Sequence, residues 1–216
     1  MGEASSASRG ADEGFARGGF MNRPHFVPVE FIAGEKGSWQ VEKILPLRGP
    51  TLSAVPRIER VEGAAGTKTA ASWILRGATS NIRYAEKAEL SELIERQATI
   101  GRVEADHAAL IPIRKAPEWW ALAQDERRVI MEERSRHISI GKEYVSSVAR
   151  RLYHCQEKDA PFDFLTWFEF AAEDAAVFEE LVERLRKSEE WKYVDREVEI
   201  QVVKAPREIL NPKSEI

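Results

Sequence analysis

The stretch from Pro161 to Phe170, PFDFLTWFEF, constrains the fold more than any other part of the chain. Phe162, Phe164, Thr166, Phe168 and Phe170 alternate with Asp163, Leu165, Trp167 and Glu169. A period of two with β-favouring side chains predicts a strand. Large apolar groups stand on both of its faces, which places it in the middle of a sheet. Further strands are expected from His25 to the break at Ala33-Gly34, and over 39–47, 54–61, 72–77, 147–155 and 197–203. Helical spacing of apolar residues predicts helices over 83–100, 125–137 and 173–187, the last with Phe178, Leu181, Val182 and Leu185 as its inner stripe. No element is assigned between 101 and 124.

Strands and helices mix in each half, which predicts an α+β chain. Two ferredoxin-like units are expected, 22–105 and 106–205, packed as a barrel of the dimeric αβ type. Residues 1–21 are Gly-, Ala- and Ser-rich with scattered charges and read as a disordered N-terminal extension, and 206–216 as a C-terminal tail.

A hydrophobic content of 43% against 31% charged residues belongs to an ordinary folded protein. The net charge of -4 argues against a nucleic-acid partner. No apolar run approaches the roughly 20 residues of a membrane span, and the N-terminus lacks the apolar core of a signal peptide. The single cysteine, Cys155, rules out an intramolecular disulfide and an iron–sulfur cluster. It is compatible with a reducing compartment, and a cytoplasmic location is expected.

Four histidines are present, His25, His107, His137 and His154, and no pair has the spacing of a zinc site. There is no Gly-rich phosphate loop and no nucleophile elbow. Trp119 and Trp120, just after Lys115, read first as core packing, with the border of a flat anionic cofactor as the second reading. Residue chemistry alone therefore stops at a soluble α+β protein.

Longer runs take the reading further. Glu133-Arg134-Ser135-Arg136-His137-Ile138-Ser139-Ile140-Gly141, then Tyr144, then Val148 to Cys155, then PFDFLTWFEF, resemble the short-chain chlorite dismutases. The likeness continues through Leu185-Arg186, Glu189-Glu190-Trp191, Tyr193-Val194 and Arg196-Glu197-Val198. Upstream it includes Leu75-Arg76-Gly77, Arg83-Tyr84 and Ala109 to Lys115 with Trp119-Trp120. It covers roughly 25–203.

The resemblance implies a haem b protein with haem in the C-terminal half and His137 as the proximal iron ligand; His154 is the rival on bare chemistry. Glu190 matches the carboxylate that accepts from the other ring nitrogen, with Glu189 as the adjacent alternative. Arg150 matches the distal arginine, a permanent cation aimed at a small oxyanion. Thr166 and Phe168 are expected to line the distal pocket. Asn81, Lys115 and Trp120 are expected on the propionate side. The implied activity is conversion of chlorite to chloride and molecular oxygen by a homodimer. Two alternatives stand: a coproporphyrin decarboxylase of haem biosynthesis, using peroxide, and a haem-binding or sensing protein with incidental peroxidase activity. Arg150 speaks against the first, whose members in Gram-positive bacteria tend to carry glutamine there.

Overall fold

The computed structural model describes residues 27–63, 66, 70–79, 84–155, 157 and 159–206. The expected extension over 1–21, Asn81, His25 and all but the first residue of the expected tail lie outside them. The PFDFLTWFEF stretch becomes strand β7 (Phe164–Phe170), paired on one side with β5 (His107–Lys115) and on the other with β6 (Ala149–His154). Its alternation separates two cores. Leu165 and Trp167 point inward with Phe31, Leu110, Tyr153 and Ile200. Phe168 and Phe170 point outward, onto helix α5 (Ala175–Arg186) through Phe178 and Val182. Burial of both faces is what holds this strand mid-sheet.

The remaining strands are β1 (Pro28–Gly34), β2 (Trp39–Arg48), β3 (Arg57–Glu62), β4 (Trp73–Thr79) and β8 (Val194–Lys204). All pairs are antiparallel, and the order β1-β3-β2-β8-β5-β7-β6-β4 closes a barrel. With its helices, this is an α+β fold. The two halves of the chain meet at two seams, β2 with β8 and β4 with β6. Among the described residues the second seam joins Ala78 to His154 and Thr79 to Tyr153. At this mouth of the barrel, Arg60 donates to the Tyr153 hydroxyl at 2.8 Å, and that hydroxyl donates to Glu62 at 2.5 Å. Among the described residues no helix is long and apolar enough to cross a membrane.

In the first half, four residues carry the chain from β1 to β2 across the backbone of β3. Ala33 and Trp39 consequently flank the same residue, Ile58. A Cβ on Gly37 would lie 2.4 Å from the Ile58 carbonyl, so only glycine lets the two backbones pass. In the second half, the segment without a sequence assignment is β5, the strand between β7 and β8. Pro112 disguises it, because a proline inside an apolar run argues against a central strand. The fold tolerates it by pairing Pro112 with Leu165 of β7 while the ladder to β8 skips Ile111 and Pro112.

The helix expected over 125–137 is broken. α3 (Gln124–Arg128) runs into a π-helical turn, Val129–Arg134, and Arg136 then adopts left-handed backbone angles (φ 54°, ψ 32°). That conformation costs a non-glycine residue about 1 kcal/mol. It is offset by Glu132, whose carboxylate accepts from the N–H groups of Ile138 and Ser139 and from the Ser139 hydroxyl, capping a new helix α4 (His137–Tyr144). The helix expected over 83–100 is shorter, α1 (Lys87–Arg96), and a short α2 (Pro117–Ala121) follows β5.

Candidate functional site

Outward-facing residues of β5, β6 and β7 form rows: Ala109, Phe168 and Arg150; Ile111, Thr166 and Leu152; Ile113, Phe164 and His154. Helices α1, α4 and α5 do not close fully over them. A largely apolar cleft remains, open on one side. His137, the first residue of α4, sits on its wall.

The His137 Nδ1 lies 2.5 Å from Glu190 Oε2. A carboxylate partner fixes the proton on Nδ1 and leaves Nε2 with a free lone pair. Glu190 opens a short 3-10 turn, Glu190–Tyr193, and its N–H donates to the Ser135 hydroxyl at 2.7 Å. Its second oxygen, Oε1, accepts from the Lys115 ammonium at 2.5 Å, with both side chains almost fully buried. Burial alone would push the Glu190 carboxyl up. The hydrogen bonds and electrostatic influence of the His137 N–H and the Lys115 ammonium outweigh it and hold the carboxyl well below the usual range. Glu189, the neighbouring candidate, instead pairs with Arg134 at the surface, 3.2 Å away.

Arg150 lines the cleft from the sheet side. Desolvation lowers the pKa of its guanidinium, and the Glu190 charge is the only opposing influence. Among the described residues no hydrogen bond or ion pair reaches this guanidinium. Its main-chain carbonyl is held by the side-chain amide of Gln97, at the end of α1. Thr166 and Phe168 are buried beside it and line the same space. His154 also lines the cleft, edge-on to Phe164 at 5.1 Å between ring centres. His107 is elsewhere, paired with Asp106 at 2.8 Å.

Lys115, which a bulge after Arg114 turns toward Glu190, stands behind His137. Its ammonium lies 4.7 Å from the centre of the Trp119 ring and 5.7 Å from that of Trp191. Trp120 is 38% exposed and stacks on Phe164, whereas Trp119 is buried and lines the cleft. The Trp119 indole N–H has no hydrogen-bond partner among the described residues. Tyr84 faces the Trp119 ring edge-on at 6.1 Å, and Arg127 bonds both the Tyr84 hydroxyl and the Trp119 carbonyl. Sequence reasoning passed over Gln97 and Arg127, since each acts through backbone carbonyls that no motif encodes.

A family model described as chlorite dismutase matches residues 53–205, which takes in every strand from β3 onward and the whole cleft. The chain belongs to the chlorite dismutase family. Among curated relatives, the chlorite dismutase of Ideonella dechloratans is 31% identical over 121 residues, 55% of this chain. That alignment spans only 40% of the relative's length. A dimeric chlorite dismutase from Nitrobacter winogradskyi superposes with a TM-score of 0.76 at 45% identity, over 82% of this chain and 99% of that one. The chlorite dismutase of Candidatus Nitrospira defluvii, in complex with imidazole, gives 0.59 at 21% identity over 83% and 91%, a likeness of fold alone.

Proposed function

We propose that the cleft holds haem b, with Nε2 of His137 on the iron, and that the loaded protein converts chlorite to chloride and molecular oxygen. The observation that carries the reading is one imidazole, tied through Nδ1 to a buried carboxylate, sharing an apolar cleft with an arginine that has no counter-ion among the described residues. Three features fit this cofactor. Among the described residues no three His, Cys, Asp or Glu side chains cluster to hold a bare metal ion, so a metal here must bring its own donors. The apolar lining suits a flat macrocycle, and the orphaned Trp119 N–H offers a donor to a polar edge.

Haem, when bound, supplies the redox chemistry that cleaves O–Cl bonds and joins two oxygens. The chain's own residues do the rest. Glu190 makes His137 a stronger donor, and Lys115 limits that push by sharing the carboxylate. Arg150 draws in the anion and keeps a hypochlorite-level fragment from leaving before the oxygens combine. Thr166 and Phe168 shape a dry pocket around it. In this reading the two halves, each with its strands in the spatial order fourth, first, third, second, are two ferredoxin-like units, and the C-terminal one carries the haem. The Nitrobacter protein's dimeric state supports a homodimer here.

Oxygen release from chlorite by the purified, haem-loaded protein, followed with an oxygen electrode, tests the assignment. Fast release approaching one O2 per chlorite is expected. Bound haem on His137 without oxygen release would overturn the chlorite reaction and pass the site to porphyrin decarboxylation or haem sensing.

A further inference from the structure

Behind the His137–Glu190–Lys115 group lies a second buried set of charges to which the proposed reaction gives no task. Glu197 is 1% exposed. It stands on β8 opposite Ile113, two residues before Lys115 along β5. Its Oε2 accepts the Trp191 indole N–H at 2.8 Å, and its Oε1 accepts from Arg186 at 2.8 Å. Arg186 also reaches Glu199 at 2.6 Å. Burying a carboxylate is costly unless every lone pair is used, and here each oxygen has a defined partner.

Lys115 is the point where this set meets the ligand group. An ammonium carries three rotatable donors on a flexible stem, so nothing in lysine itself confines it to one carboxylate oxygen. Left free, it would bridge both oxygens of Glu190 and compete with His137 for Oε2. The rings of Trp119 and Trp191 lie within cation–π range of the ammonium. The Trp119 indole has no hydrogen bond to set its tilt, whereas the Trp191 indole is pinned by Glu197.

We propose that Glu197 is a positioning residue for His137: by pinning Trp191 it confines Lys115 to Oε1 of Glu190 and reserves Oε2 for the imidazole. The links run Glu197 to the Trp191 N–H, the Trp191 ring to the Lys115 ammonium, and Glu190 to Nδ1 of His137. Arg186 orients Glu197 through their ion pair, and so belongs to the same device. This extends the reading of His137 as an iron ligand, but the hydrogen bond it concerns exists in the chain without cofactor.

The test is proton NMR of the His137 Nδ1–H in the full-length, cofactor-free protein. A proton held by a carboxylate resonates far downfield. Trp191→Phe, which keeps a ring but loses the N–H, and Glu197→Leu are each expected to move the signal upfield. In a Lys115→Met background the signal is expected to stay downfield, and neither change should move it further. An unmoved signal in Trp191→Phe, or an equal shift with and without Lys115, would reduce Glu197 to a structural brace and overturn the proposal. Trp191→Phe serves alone if Glu197→Leu does not fold. In loaded protein the same variants should shift the iron reduction potential. Failure to bind haem would remove the functional reading, while the proton signal still decides this one.

Discussion

Glu190 can be tested as a charge partner without any assay of turnover. Glu190→Met keeps approximate side-chain volume but strands the Lys115 ammonium, whose side chain is 5% exposed and for which Glu190 is the one ion-pair partner among the described residues. Removing one member of a buried pair costs about 3–5 kcal/mol, whereas replacing both by apolar groups is close to neutral. The orphaned His137 N–H adds little, since its ring retains some access to water. Urea unfolding of the cofactor-free protein reads the difference. With a slope of about 2 kcal/mol per molar, the single variant should lose roughly 1.5–2.5 M in midpoint. The double variant Glu190→Met with Lys115→Met should recover most of that loss. A single variant losing less than about 1 kcal/mol, or a double variant no more stable than the single one, would refute the claim that these charges depend on each other.

Other consequences are as direct. Arg150→Ala should keep haem but inactivate sooner while releasing trappable hypochlorite; equal release and lifetime in the parent would remove its retaining role. His137→Ala should lose most haem affinity, and unchanged, stoichiometric haem spectra would move the ligand elsewhere. Burial raises the Glu62 pKa, but the Tyr153 hydroxyl and the charges of Arg60 and Arg151 lower it further, to a net value below 4.5. A carboxyl depressed in the folded state contributes stability above its unfolded value and loses it as pH falls. Unfolding midpoints should therefore drop below about pH 4.5, less steeply in Glu62→Gln, and parallel profiles would contradict the shift. Gly37→Ala should cost about 2–4 kcal/mol, measured by urea unfolding, because its Cβ meets backbone that cannot move aside; a neutral effect would mean that the crossing relaxes.

The sequence made some of this legible and hid the rest for physical reasons. The period of two in PFDFLTWFEF and the stripe of α5 survive because both reflect burial on a defined face. β5 escaped notice because Pro112 breaks the local rule, and only its neighbours, Leu165 on one side and a skipped ladder on the other, show how it is accommodated. The break before His137 depends on Glu132 reaching six and seven residues ahead, which a helical periodicity cannot register. His137, Glu190 and Arg150 emerged from family likeness, not from spacing. The structure adds the His137–Glu190 contact and leaves Glu189 at the surface. Lys115 and the Trp119-Trp120 pair could not be placed from sequence, since a one-residue bulge or a short helix decides which way neighbouring side chains face.

Among the described residues β4 and β6 are joined by two residue pairs, as are β2 and β3, whereas β5 and β7 share seven. Local opening follows the cheapest set of bonds to break. Parting these two short lines would leave the β8-β5-β7-β6 slab intact behind the cleft. Amide hydrogens around Ala78–Thr79 should exchange with solvent well before those of Leu110 or Trp167. One wall of the cleft, at His154, thus stands beside a short line of bonds, while the floor beneath Thr166 and Phe168 stands on a long one.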